Sequence, residues 1–177
     1  MGLYLIESTL KEIVSSKEEL DKKVEVLQGK LHENQSTLIE LQVSKDFSRA
    51  FFIIKGEDQN ATTVTLKSAE VPIELVKEVR LIGKELEDVK QNKDIVNYLV
   101  EWNLPEDLTM DQYLARKKKN SVHYHEVPEV AFSRTYVCED MTKCLCFYDA
   151  PDEAAVKRAR EAVQTPIDTI TEILTDK

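Results

Sequence analysis

The second half of this 177-residue sequence contains side chains that bind metal ions. Cys144 and Cys146 stand two positions apart in the run KCLCFYD, and residues two apart on a β-strand point to the same face. His123 and His125 follow a stretch with helical character, and Glu101 lies in the apolar run YLVEWNL. Thiolate and imidazole groups bind nickel, zinc or copper, so these five residues are the candidate metal ligands.

Each of these groups also has a purely structural interpretation. Cys144-x-Cys146 lacks the Cys-x-x-Cys spacing of zinc and redox sites, and both residues would fit as small core residues. His123 and His125 would suit a solvent-facing helix end, where imidazole interacts well with the helix dipole. On a continuing helix the two rings diverge, so joint ligation requires the helix to end before them. The sequence leaves both interpretations open.

Composition excludes several functional classes. The formal net charge of −9 and the pI of about 5.0 argue against nucleic-acid binding, which needs a basic face. The basic run at residues 116–119 is interpreted as a solvated helix face. Only 4 glycines are present, too few for a glycine-rich phosphate-binding loop, and no Ser-His-Asp or metalloprotease motif is found. The start MGLYLIEST lacks signal-peptide features and no segment has membrane-spanning length, so we expect a cytoplasmic protein with free thiols.

The sequence repeats itself weakly at an offset of 94 positions. YLIESTL at residues 4–10 is echoed by YLVEWNL at residues 98–104, and further matches continue to the last strand-like run without a gap. The matches include residues typical of helix boundaries, such as Asp58 with Asp152 and Pro72 with Pro166. We therefore predict a degenerate first repeat at residues 1–82, a linker at residues 83–96, and a second repeat at residues 97–177.

Both repeats show the same succession of predicted elements. Capping boxes open the first helix of each repeat, at Ser15-x-x-Glu18 and at Thr109-x-x-Gln112, and Asp58 and Asp152 are N-caps of the second helices. Strands are predicted at 3–8, 37–44, 49–55, 75–82, 97–102, 131–138, 143–149 and 169–174, with first helices at 16–32 and 110–125. The order strand-helix-strand-strand-helix-strand, found twice, predicts a tandem ferredoxin-like (βαββαβ) α+β fold with helices on one face of each antiparallel sheet. Two such sheets would pair as a sandwich or barrel-like structure, within one chain or as a homodimer.

Glutamates in these apolar strands need an explanation. Glu7 and Glu101 lie in the first strand of each repeat, and Glu78 and Glu172 lie in the last strand, its predicted neighbour. Carboxylates opposite each other are destabilising unless an arginine such as Arg134, a metal ion or a shared proton compensates. Exposure to water on an open sheet face is the structural alternative.

A longer motif surrounds Cys146. The run Cys146-Phe-Tyr-Asp-Ala-Pro151, followed by Val156, resembles the Cys-x-Tyr-Glu-Ala-Pro-x-x-x-x-Val pattern of a small bacterial ferredoxin-like family, largely of unknown function, that includes a nickel-binding protein. Residues 98–101 and 134–140 resemble its first two strands. The resemblance implies a ferredoxin-like fold, often dimeric, with divalent metal binding and Cys146 as the preferred thiol. Many members carry a histidine where this chain has Ala159.

These observations lead to one principal functional hypothesis and two alternatives. The principal hypothesis is a non-enzymatic protein that binds a metal ion, with nickel as the first candidate, or a small ligand. The first alternative is a barrel-type enzyme or ligand sensor with a cavity between the sheets, lined by Glu101, Arg134 and Tyr136. The second alternative is an assembly module whose open sheet face mediates dimerisation.

Overall fold

The computed structural model describes residues 1–91 and 94–175, and in them the chain forms a mixed α+β fold. Its strands are β1 (Gly2–Thr9), β2 (Thr37–Val43), β3 (Arg49–Gly56), β4 (Leu75–Ile82), β5 (Tyr98–Asn103), β6 (Ala131–Cys138), β7 (Lys143–Asp149) and β8 (Thr169–Glu172). Its helices are α1 (Lys17–Glu33), α2 (Gln59–Ser68), α3 (Leu86–Lys90), α4 (Met110–Asn120) and α5 (Glu153–Ala162), with a 3₁₀ helix at Ser121–Glu126.

All eight strands belong to one antiparallel sheet with the order β2-β3-β1-β4-β6-β7-β5-β8. The strand order of the first four strands recurs in the last four, and the two sets meet where β4 pairs with β6. The two edge strands also meet at one end, through an antiparallel bridge between Ser44 and Ile173. Because this bridge joins both edges, the sheet curls on itself and encloses one of its two faces.

The predicted side-chain N-caps of α2, α4 and α5 are present, and the N-cap of α1 lies one residue from its predicted position. Asp58 and Asp152 accept hydrogen bonds from backbone N–H groups in the first turns of α2 and α5. Thr109 and Gln112 form the predicted capping box of α4. In α1 the cap lies one residue later than predicted, because Ser16 accepts from the backbone N–H of Glu19. Each cap satisfies a donor that the helix itself leaves unpaired.

Three helices end with a non-glycine residue in the left-handed backbone region. Gln35, Glu70 and Gln164 follow α1, α2 and α5 with φ of 59°, 58° and 54°. After α2, the N–H of Glu70 bonds the carbonyl of Lys67, and the N–H of Val71 bonds that of Leu66. This Schellman arrangement pairs the last helical carbonyls, and it is repeated after α5.

The packed interior consists of three apolar clusters. One lies between α1, α2 and their strands, and contains Leu27, Phe52 and Leu66. A second lies between α4, α5 and theirs, and contains Trp102 and Cys146. The third lies on the enclosed face of the sheet, and its members are Leu5, Ile39, Phe51, Ile53, Val79, Val89, Val96, Leu99, Tyr136, Cys138, Leu145, Phe147 and Ile173.

Two regions differ from the sequence-based prediction. The α-helix predicted at 110–125 ends at Asn120 and continues as the 3₁₀ helix, which contains both histidines. The segment predicted as a linker contains α3, whose Val89 is buried in the enclosed cluster together with Val96; residues 92 and 93 lie outside the described residues. Within residues 1–91 and 94–175, no helix is long and apolar enough to cross a bilayer.

Candidate functional site

Two acidic and two basic side chains form an ionic cluster on the enclosed face of the sheet. Arg49 donates to Glu101 at 3.0 and 3.2 Å and to Glu7 at 3.0 Å. Lys143 lies 2.8 Å from Glu101 and 2.5 Å from Glu7. Both glutamates are buried, and the two cations neutralise them. Glu101 shows the result: burial raises its pKa, but bonds from Arg49 and Lys143 outweigh burial and lower it overall.

The predicted pairing of Glu7 with Glu78 and of Glu101 with Glu172 is wrong. In the sheet register Glu78 lies opposite Tyr4, and Glu172 lies opposite Tyr98. The carboxylates that approach each other are instead Glu7 and Glu101, one from each set of four strands. A one-residue difference in register moves a side chain to the other face, and the sequence pattern did not resolve it.

A second ionic group lies elsewhere on the enclosed face. Arg134 donates to Glu40 at 3.0 and 2.6 Å, and Tyr136 donates to the same carboxylate. Arg134 therefore pairs with Glu40 and does not act as the compensating partner of Glu101 that the sequence suggested. The cavity expected between Glu101, Arg134 and Tyr136 stays a prediction. Apolar side chains such as Phe51, Leu99 and Phe147 occupy the enclosed face along with these charges.

Cys144 and Cys146 lie on the opposite, helix-covered face of β7. They pair with Trp102 and Val100 of β5, and all four side chains belong to the cluster under α4 and α5. Thr135 Oγ1 donates to Cys146 Sγ at 3.2 Å. Both cysteines have no disulfide partner and are almost fully buried.

Arg160 of α5 is buried beside this pair of thiols. Its exposed fraction is 2%, although arginine is rarely buried without an acidic partner. Nη1 donates to the hydroxyl of Tyr148 at 3.0 Å and Nη2 donates to the carbonyl of Pro166 at 2.5 Å. No described residue accepts a hydrogen bond from its Nε, and no described carboxylate lies within ion-pair distance of it. Arg160 thus keeps one donor and its full charge available.

Arg160 and Cys146 line a common cavity. We call it the Cys146 pocket; it is lined by Trp102, Tyr113, Arg116, Lys117, Asn120, Ser121, Tyr124, Cys146, Arg160, Val163 and Thr165. The space open to the centre of a water-sized sphere is about 20 Å³, room for about one water molecule. Arg116, which also lines the cavity, is exposed. Three of the lining side chains are cationic, and the lining residues include no Asp or Glu.

The cationic surroundings change the ionisation of the two thiols. The pKa of Cys146 is well below the ordinary thiol value, first because Cys144 donates a hydrogen bond to it; burial opposes this shift, and Lys117, Arg160 and Thr135 add to it. The pKa of Cys144 is raised well above that value by its bond to Cys146 and by burial.

The five candidate metal ligands do not come together. Glu101 lies on the enclosed face and the cysteines on the helix-covered face of the sheet. His123 bonds Glu126 at 2.5 Å on the outer side of the 3₁₀ helix, while Tyr124 between the histidines turns inward to Tyr148 at 2.7 Å. Across residues 1–91 and 94–175, no three His, Cys, Asp or Glu side chains are placed to hold one metal ion.

Arg160, Lys117 and Tyr113 were missed from the sequence. One signal was available: Arg160 falls on the apolar stripe of α5 formed by Val156, Ala159 and Val163, where a charge is unusual. Lys117 belongs to the basic run that the sequence predicts as a solvated helix face. In the structure its ammonium lies over the Phe132 ring, 4.4 Å from the centroid. Tyr113 of α4 is buried and lines the same cavity as Cys146, a position that no local pattern predicts.

The fold is shared with a solved structure. The putative chlorite dismutase TA0507 is 13% identical to this chain over 98% of it and 95% of that chain, with a TM-score of 0.57. At this identity the likeness shows the antiparallel α+β fold alone. A putative monooxygenase, FN1347 from Fusobacterium nucleatum subsp. nucleatum ATCC 25586, aligns at 13% identity over 99% of this chain and 92% of that chain, with a TM-score of 0.47.

The second half of the chain is also similar to a known family. Residues 98–173 match the model of the family described as nickel responsive protein SCO4226-like. The structure of SCO4226 from Streptomyces coelicolor A3(2) is 18% identical and aligns with 43% of this chain and 93% of its own, with a TM-score of 0.38. No curated protein matches the chain. The match covers Cys144, Cys146, Arg160 and the strands that carry the thiols.

Proposed function

We propose that this chain is a non-enzymatic binding protein whose ligand, a small anion, occupies the Cys146 pocket. The observation that carries the proposal is Arg160, a buried guanidinium without a carboxylate partner among the described residues. Its Nε has no acceptor among them, and the residue lines a cavity together with two further cations. An unpaired buried donor is costly, and a bound acceptor would remove that cost. The three cationic side chains that line the cavity favour an anion over a neutral ligand.

The size and chemistry of the pocket restrict the ligand further. Space for about one water molecule suits a monatomic anion such as chloride and excludes a nucleotide or a sugar. Arg160 and Lys117 supply the charge, and the hydroxyl of Tyr124 and the amide of Asn120 lie in the same wall. When Cys146 is ionised it competes with the anion for Arg160, so the anion is expected to bind most tightly while that thiol is protonated.

Ligand-dependent thermal unfolding tests this proposal. A ligand that binds only the folded chain stabilises it by about 2.7 kcal/mol when present at a hundred times its Kd, so the unfolding midpoint should rise with chloride at constant ionic strength. Lys117→Gln should reduce the rise. Lys118→Gln is the matched control, because it removes the same charge from the next, exposed position of α4, outside the pocket.

Two results would count against anion binding. One is a midpoint that follows ionic strength alone, whichever anion is present. The other is an equal response of Lys117→Gln and Lys118→Gln, since the pocket then plays no part in the effect.

Nickel binding is the second candidate, and the family match over residues 98–173 favours it. The adjacent thiols of Cys144 and Cys146 are the ligands that the geometry offers, since His123, His125 and Glu101 lie apart from them. The nearby cations oppose a metal cation at this place. Nickel titration followed by thiolate-to-metal absorption distinguishes the candidates. An absorption band that Cys146→Ser abolishes would support nickel binding, and the absence of any band would favour anion binding.

We further propose that the two halves derive from one ferredoxin-like unit by duplication, with the boundaries at 1–82 and 97–177. The repeated strand order supports this. So do turn residues at the same offset: Phe47 and Met141 both have positive φ, at 62° and 61°, and Asp46 and Asp140 cap the same turns. Such backbone positions are uncommon outside glycine, so their recurrence supports common descent more strongly than the few identities.

A further inference from the structure

We infer that Val163 sets the size limit of the Cys146 pocket and so restricts the site to a monatomic anion. The inference rests on the proposed binding of an anion in that pocket, and it names the side chain that keeps larger anions out. Val163 is the C-cap of α5 and is 3% exposed. It lines the pocket three positions after Arg160, and side chains three apart on a helix are neighbours on one face. An anion held by Arg160 would therefore lie beside the methyl groups of Val163.

The residues that line the pocket differ in how far they can give way to a larger ligand. The polar members Lys117 and Asn120 are partly exposed, and their side chains can rotate towards solvent. A second group is buried and carbon-rich, and it consists of Trp102, Tyr113 and Val163. The two rings of this group pack against each other, with their centroids 6.1 Å apart. The buried group therefore forms the rigid part of the wall.

Val163 is the rigid side chain next to the guanidinium. A valine on a helix keeps essentially one χ1 rotamer, so its methyl groups stay in place when a ligand enters. Because protein interiors are densely packed, an atom that does not fit forces neighbouring side chains off their rotamers. Nitrate is a polyatomic anion larger than chloride, so it should enter this pocket only if the wall retreats.

The first half of the chain shows that alanine fits the equivalent place. Ala69 lies 94 positions before Val163 and is the C-cap of α2. The backbone angles are nearly the same, with φ −88° and ψ 4° at Ala69 and φ −91° and ψ 7° at Val163. The same turn therefore forms with the smaller residue, and Val163→Ala should keep the fold. Leu66 stands where the second half has Arg160, so only the second half places a guanidinium at this position.

Val156 provides the matched control. It lies on the same helix and in the same apolar cluster as Val163 packs against, and it is fully buried. It is not among the residues that line the Cys146 pocket. Val156→Ala therefore removes the same methyl groups from the core without widening the pocket. Any effect of a smaller core residue alone should appear in both variants.

The experiment measures chloride and nitrate binding to the wild-type chain and to both valine variants at constant ionic strength, balanced with sulfate, which is larger than either anion. Trp102 is the single tryptophan of the chain and lines the pocket, so a saturable change in its fluorescence reports occupancy. The unfolding midpoint gives a second measure. A misfit of one methylene in an apolar pocket changes affinity roughly 10- to 200-fold, so the wild-type chain should bind chloride at least about tenfold more tightly than nitrate. Val163→Ala should remove most of that preference, and Val156→Ala should keep it.

The inference is overturned if the wild-type chain binds nitrate as tightly as chloride, or if Val163→Ala keeps the wild-type preference. An equal change in Val163→Ala and Val156→Ala would overturn it too, since the pocket wall would not be the cause. Chloride binding with an unchanged preference in Val163→Ala would leave the anion site standing and remove Val163 as its limit. Nitrate binding to Val163→Ala, with neither anion bound by the wild-type chain, would support the size limit and contradict the proposed function. No saturable binding to any of the three chains would contradict both.

Discussion

A buried ion pair between Glu40 and Arg134 lies on the enclosed face of the sheet. Glu40 and Arg134 stand 94 positions apart, which makes them equivalent positions of the two halves, and their side chains are 7% and 4% exposed. Arg134 donates two hydrogen bonds to the Glu40 carboxylate, and Tyr136 and Gln42 Nε2 each donate one more. A pair so fully desolvated is sensitive to the loss of either partner, because the remaining charge would be left buried and unpaired.

Removing one partner of this pair should therefore destabilise the chain more than removing both. Arg134→Met leaves the Glu40 carboxylate without its guanidinium and should cost about 3–5 kcal/mol of unfolding free energy. The double variant Glu40→Leu with Arg134→Met should recover most of that loss. Urea unfolding of the wild-type chain, Arg134→Met, Glu40→Leu and the double variant measures the coupling. Additive losses would show that the pair contributes little beyond packing.

Asp46 gives a residue-scale prediction for pH. Its pKa is lowered from 3.8 to about 2, first by the hydroxyl of Ser48, then by the backbone N–H of Ser48 and the hydroxyl of Ser44. Because the folded pKa is the lower one, the unfolded chain binds more protons between these values. The stabilisation is complete above 3.8 and is lost as the pH falls towards 2. Over that interval the wild-type chain should lose more stability than Asp46→Asn, measured by urea unfolding; parallel curves would contradict the assignment.

Helix ends are the elements where a single substitution should stabilise the chain. Glu70 and Gln164 hold the left-handed position after α2 and α5, a conformation that costs L-residues roughly 1–2 kcal/mol. Glycine adopts it freely. We expect Glu70→Gly and Gln164→Gly each to stabilise by about 0.5–1 kcal/mol, after the larger unfolded-state entropy of glycine is subtracted.

Thermal unfolding checks this prediction, with Lys67→Gly as the control. Lys67 lies within α2, where glycine should destabilise by about 1 kcal/mol. If all three glycine variants lost stability alike, the helix ends would carry no backbone strain.

The elements were more predictable from the sequence than the site. The run KCLCFYD and the strand β7 coincide, and β6 and β4 also have their predicted bounds, because apolar alternation and turn residues are local signals. The position of Arg160 against Cys146 depends on packing between α5 and β7, which no local signal encodes. The pairing of Glu7 with Glu101 depends in the same way on how the two sets of strands meet.

At the scale of the whole molecule, the enclosed face is electrostatically asymmetric. The first half contributes Glu7, Glu40 and Arg49, which carry one net negative charge, and the second half contributes one net positive charge through Glu101, Arg134 and Lys143. Two copies of either half would bring like charges together on this face. The first half facing the second brings opposite charges together. Charge complementarity of this kind selects the partner, so we expect the two halves to close on each other within one chain.

A nicked chain tests this expectation. With a protease site inserted after Gln91, the cleaved halves should remain associated as a complex of one copy each, because β4–β6 pairing and the enclosed cluster still join them. Arg134→Glu should weaken that complex by placing two carboxylates together, and adding Glu40→Arg should restore it by reversing the pair. Light scattering of the nicked proteins measures the outcome. If the halves separate into homodimers, or if the reversed pair fails to restore association while Arg134→Glu disrupts it, charge complementarity does not decide the pairing.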